Sequence, residues 1–250
     1  MCFDGKYVSV KGYSKDIPVI YGIDYLTHDV PDFKLVPSES YLACKAYFTA
    51  IKNLGCNVIF LVADDNPAIK RAFEYVFPNG ISQLCLNHYK ESIRRDLGIR
   101  TSDKYREFYL EIEDLFNRRL NWAEIMKELS FKFYPKYKNS KDEKVAYWIT
   151  DIARRKRELT NYHQLEGAPN TNNLIEAYNS HLKPRLKAIK GFESFKYASI
   201  WLNGYFLRRR LKPFTDCAGK FKTLNGNCSL NKVLKQGLKL PNIFQITNRK

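Results

Sequence analysis

The first third of the chain is written in short apolar runs separated by turn residues. Phe3 to Val10 and Ile17 to Asp24 are rich in β-formers, and the cluster Lys11-Gly12-Tyr13-Ser14-Lys15-Asp16 between them predicts a hairpin. Phe33 to Val36 predicts a third short strand. Ser38-Glu39-Ser40 caps a helix to about Asn53, with Leu42, Ala46, Tyr47, Ala50 and Leu54 on its apolar face and Gly55 ending it. Val58 to Ala63 is an unbroken apolar run, the pattern of a strand buried on both faces. Pro67 opens a helix, where its missing N–H costs nothing, and Ala68, Ala72, Tyr75 and Val76 give it a face. Pro78-Asn79-Gly80 stops that helix, and Ile81 to Leu86 is a further strand running into Cys85-Leu86-Asn87-His88. The order is βββ-α-β-α-β, antiparallel strands first and parallel strands after.

Beyond His88 the period lengthens to that of helices. Tyr105, Phe108, Tyr109, Ile112, Leu115, Phe116 and Leu120 form one stripe, while Asn121 with Glu124 and Ser140 with Glu143 are capping-box pairs for the next two helices. The second carries Val145, Trp148, Ile149 and Ile152, then the run Arg154-Arg155-Lys156-Arg157. After a polar loop, Thr171-Asn172 caps a helix with Ile175, Tyr178 and Leu182 buried and Glu176, Asn179, Ser180 and Lys183 on another face. Pro184 is expected to bend it. A last helix, Ser194 to Arg210, contains Trp201. The tail from Phe214 is Gly/Asn-interrupted and expected to pack loosely. The fold class expected is α/β, a ribonuclease H-like mixed sheet with an all-helical insertion. Its parts are a β core over 1–88, the insertion over 89–165, helices completing the core over 166–212 and a basic tail over 213–250.

Composition narrows the function. At 250 residues the chain can bury one sizeable core. No apolar run approaches the roughly 20 residues of a membrane span, and with Asp4 so early no signal peptide is expected. The six cysteines include no CxxC pair and read as reduced thiols, which points to a cytoplasmic protein, nucleoid-associated if prokaryotic. The net charge is +16, carried unevenly: residues 1–88 hold 8 basic and 9 acidic side chains, and the other 34 basic and 17 acidic follow. That asymmetry fits either a polyanion partner or a solubilising surface. Between 183 and 212 nine Lys/Arg face one acid, Glu193, making Lys183, Arg185, Lys187, Lys190, Arg208, Arg209 and Arg210 the candidate phosphate-binding set.

Asp64 and Asp65 stand at the C-terminal end of the central strand, where ligands gather in open α/β sheets. Together with DGKY at the start, LVADDNPAIKRAF, PNGISQLCLNH and NTNNLIEAYNSHLKPRLK, the chain resembles the catalytic domain of DDE transposases. The type is that of Mutator-like elements and related prokaryotic insertion sequences, and the resemblance covers about residues 2 to 217. It implies catalytic carboxylates at Asp4, Asp64 and Glu176 that bind two Mg²⁺ or Mn²⁺ ions. It implies DNA as partner, both element ends and target, a homo-oligomer on that DNA, and cleavage by water followed by 3′-OH strand transfer. Asp64 is preferred to Asp65, because successive side chains on an extended chain point oppositely.

Cys85 and His88 match the family's C-x-x-H signature, read either as a zinc half-site or as a structural pair joining core and insertion. Relatives carry an N-terminal DNA-binding segment ahead of the first Asp, so an N-terminally truncated copy is expected. A non-enzymatic transposase-derived DNA-binding protein and a related ribonuclease H-like nuclease are the alternatives.

Overall fold

The computed structural model describes residues 1–139 and 142–233. The chain forms two compact units, one built from Met1–Asn57 and the described residues from Asn173 onward, the other from Val58–Asn172.

The first unit opens with β1 (Cys2–Val8) and β2 (Ile17–Ile23), an antiparallel hairpin in register from Cys2 opposite Ile23 to Val8 opposite Ile17. Every residue of β2 is buried. β3 (Phe33–Leu35) adds antiparallel to β2. The first strand stops short of Val10, which instead bridges to Phe192. Helix α1 (Tyr41–Asn53) starts where expected, with the Ser40 hydroxyl accepting from the Ala43 N–H at 3.3 Å. Its face is not the expected one. Cys44, Tyr47, Phe48 and Ile51 are buried, whereas Leu42 and Leu54 are 73% and 62% exposed. The rings of Tyr47 and Phe48 settle on Phe3 of β1, with centroids at 5.3 and 5.2 Å.

The second unit begins with β4 (Phe60–Ala63), buried throughout, then α2 (Pro67–Val76), then β5 (Ile81–Leu84) parallel to β4. Parallel strands need such a crossover, and a helix supplies it. Asn66 caps α2 by accepting from the Ala68 N–H at 2.9 Å. The helix buries Ile69, Ala72, Phe73 and Val76, and the expected Tyr75 points outward. β5 ends early because α3 (Leu86–Asp96) starts at Leu86.

Every element of the described residues from 86 to 164 is helical. They are α3, α4 (Arg106–Asn117), α5 (Trp122–Glu128), a π-turn over Leu129–Phe133, α6 (Tyr134–Tyr137), α7 (Glu143–Thr160) and a 3₁₀ turn over Asn161–Gln164. The stripe of α4 is buried as expected, and Asn121 with Glu124 forms the full capping box of α5. Asp142 caps α7 by accepting from the Lys144 N–H; the expected cap Ser140 lies outside the described residues.

The first unit is completed by α8 (Asn173–Ile189), which runs through Pro184, α9 (Phe195–Leu211) with its Ser194 cap, and α10 (Ser229–Val233). The described part of the tail is largely exposed but is anchored near its end. Cys228 and Ser229 are buried, and the Ser229 hydroxyl donates to Asp29 at 2.8 Å. Residues 234–250 lie outside the described residues. No described helix is long and apolar enough to cross a membrane.

Candidate active site

Asp64 is the first residue past β4, and its partners come from two turns of chain within the same unit. His88, in the first turn of α3, brings Nδ1 to 2.5 Å from Asp64 Oδ1. Asn172 donates its side-chain N–H to the same oxygen at 3.3 Å, and its backbone N–H points to the Cys85 thiol at 3.2 Å. Both partners take Oδ1, which leaves Oδ2 open among the described residues. The hydrogen bond to Asp64, then that to Cys85, raises the His88 pKa to about 11.

Ligand atoms of Asp64, Cys85 and His88 fall within 4.8 Å of one another, the one such trio among the described residues. As a zinc set it is ill-spaced: ligands about 2.0–2.2 Å from a tetrahedral ion stand roughly 3.3 Å apart. The His88 and Asp64 atoms are at ion-pair contact instead. His88 together with Asn172 is better described as a clamp on one carboxylate oxygen of Asp64.

Asp65 faces elsewhere. Arg155 of α7 donates to both its oxygens, at 2.5 and 2.6 Å, and to Glu158 at 3.1 Å. This fork, above all its hydrogen bonds, holds the Asp65 carboxyl below the usual range. Asp64, Asp65, Lys70, Arg154, Arg155 and Glu158 line a cleft of about 410 Å³.

In the first unit, Asp4 on β1 sits directly across from Tyr21 on β2. Its Oδ1 accepts from the Gly5 N–H at 2.8 Å, and its Oδ2 from the Asn179 side chain at 2.7 Å. Asn179 is buried, and its own carbonyl accepts from the Tyr21 hydroxyl. Glu176 is exposed in the first turn of α8, one turn ahead of Asn179. Asp4 and Glu176 therefore belong to one unit, and Asp64, Cys85 and His88 to the other.

The basic set divides by contact. Lys183, Arg185, Lys187, Lys190 and Arg208 are exposed. The Arg209 guanidinium lies 4.8 Å over the Tyr178 ring. Arg210 grips buried Asp29 through two bonds of 2.9 and 2.8 Å. Sequence reasoning missed Asn172, Tyr21 and Arg155, and it placed Asn179 no more exactly than on the face of Glu176. That shared face was the available signal.

Each unit thus carries carboxylates of the expected set, in an α/β chain of net charge +16. The model of the Mutator family of transposases matches residues 1–198, and the chain belongs to that family. Membership points to transposition and implies a nuclease or transferase activity in general. No curated protein matches the chain.

Proposed function

We propose that the chain is a DDE-type catalytic domain, performing metal-dependent DNA cleavage and strand transfer on a ribonuclease H-like core. The helical stretch 89–165 serves as an insertion ahead of the segment with Glu176, and 213–250 is a basic tail. Asp4, Asp64 and Glu176 supply the carboxylates. The observation that carries this reading is Asp64 itself: it follows the buried strand β4, with one oxygen clamped by His88 and Asn172 and the other open. Carboxylate oxygens are the hard donors that Mg²⁺ and Mn²⁺ prefer, so the donor set fits. Two such ions, when bound, activate the attacking oxygen and stabilise the leaving oxygen of an in-line displacement.

The residues do the rest. His88 and Asn172 keep the Asp64 carboxylate from rotating. Gly5 and Asn179 do the same for Asp4. Lys183, Arg185, Lys187, Lys190 and Arg208 hold DNA phosphates, with Arg209 beside them, and copies of the chain assemble on the DNA ends. Arg210, committed to Asp29, holds the fold in addition to any contact with DNA.

The test is Mn²⁺-dependent nicking of a labelled duplex by the chain and its Asp64→Asn variant. Nicking by the parent alone is expected. Salt-sensitive DNA binding with no nicking by either would replace this reading with that of a DNA-binding relic.

A further inference from the structure

Asn179 is a polar side chain with no business in a core unless its groups are matched, and all the visible ones are. It is 5% exposed, donates to Asp4 Oδ2 at 2.7 Å and accepts from the Tyr21 hydroxyl. Its direction is forced. A carboxylate can only accept, so the amide nitrogen must face Asp4 and the amide oxygen must face Tyr21. Tyr21 is 0% exposed and is the cross-strand partner of Asp4, so hydroxyl and carboxylate stand on one face of the hairpin. Glu176 is three residues before Asn179, and such pairs are neighbours on a helix surface, about 5–6 Å apart at Cβ.

We propose that Asn179, held in one amide orientation by Tyr21, is the positioning residue for Asp4: it sets that carboxylate for a divalent cation and ties β1 to the helical turn that bears Glu176. The proposal rests on the reading of Asp4 as a metal ligand. Groups that hold a metal ligand in place are worth about 10- to 100-fold in metal affinity when removed. Asn179→Leu keeps the bulk and removes both polar groups. Tyr21→Phe removes only the hydroxyl, leaving the buried amide carbonyl without its donor and the amide held by Asp4 alone.

The experiment is a Mn²⁺ titration of the full chain without DNA, following free Mn²⁺ by electron paramagnetic resonance, with melting temperatures taken in chelator. The parent, Asp4→Asn, Asn179→Leu and Tyr21→Phe are compared. Asp4→Asn is expected to lose a bound ion. Asn179→Leu is expected to weaken Mn²⁺ about 10- to 100-fold, and Tyr21→Phe to weaken it in the same direction by less. A purely structural role would move the melting temperatures and leave the Mn²⁺ midpoints in place. If Asp4→Asn shifts binding and neither of the other two does, positioning by Asn179 is overturned while Asp4 stands as a ligand. If Asp4→Asn binds Mn²⁺ as the parent does, Asp4 is no ligand, and the role of Asn179 falls with it.

Discussion

Arg155 closes on both oxygens of Asp65, at 2.5 and 2.6 Å, while Asp64 beside it is clamped on one oxygen by His88 and Asn172. The two adjacent aspartates thus differ in their contacts, one joining α7 to the end of β4 and the other held on one oxygen by His88 and Asn172. Asp65→Asn is expected to keep Mn²⁺-dependent nicking within a few-fold and to lose about 0.5–1 kcal/mol of stability, the range for a partly exposed pair. Asp64→Asn is expected to abolish nicking and also to lower stability, since it takes from His88 the partner that raises its pKa. Parallel nicking assays and urea melts of the two variants decide it; the reverse pattern would move the metal site to Asp65.

Acid should loosen the second unit through Glu158. Burial raises this carboxyl, but hydrogen bonds from Lys70 at 2.8 Å and Arg155 at 3.1 Å outweigh it and hold the pKa below the ordinary 4.5. A carboxyl depressed in the folded state binds its proton more readily in the unfolded chain. The stabilisation is therefore complete above about pH 4.5 and is lost as pH falls through the folded value. Glu158→Gln is expected to flatten the drop in melting temperature between about pH 5 and pH 3. At pH 7 it should cost about 1 kcal/mol or less, since both Lys70 and Glu158 are partly solvated. An unchanged acid limb would show that this pair contributes nothing.

Tyr47 gives the core of the first unit a polar pin. Its hydroxyl accepts from the Gly22 N–H at 2.8 Å, with both groups buried. Tyr47→Phe leaves the ring packing on Phe3 and Phe48 and orphans the N–H, a loss of about 1–3 kcal/mol. The denaturant midpoint should fall with no change in slope, the mark of lost stability without altered compactness. A midpoint equal to that of the parent would mean that water or a shifted backbone satisfies Gly22.

Element order was legible because strands and helices differ in period, and β1, β2, α4 and α9 lie within a few residues of where the pattern predicts them. Helix faces were less so. Tyr41 to Ile51 is apolar nearly all round, so spacing could not choose between Leu42 with Leu54 and the pair Phe48 with Ile51. The ring of Phe3 on the neighbouring strand makes that choice, and it is invisible in a local window. Asn172 and Asn179 were illegible for another reason. Asparagine is common in caps and loops, and only the fold reveals that each donates to an aspartate more than a hundred residues away in sequence.

Charge counting treats Arg210 like its neighbours, but the structure separates it from Lys183 and Lys187. The two lysines are exposed on α8, whereas Arg210 forks onto Asp29, which is 2% exposed and also accepts from Ser229. Each phosphate neutralised on B-DNA adds about 0.9 to the slope of log affinity against log salt. Lys183→Ala and Lys187→Ala should therefore each flatten that slope by up to about 1, measured by anisotropy on a labelled duplex, with melting temperature unchanged. Arg210→Ala should leave the slope alone and cost roughly 3 kcal/mol, because it strands a buried carboxylate rather than merely losing an attraction. If Arg210→Ala instead flattens the slope while the melt is unmoved, the guanidinium works on phosphate and the Asp29 pair is dispensable.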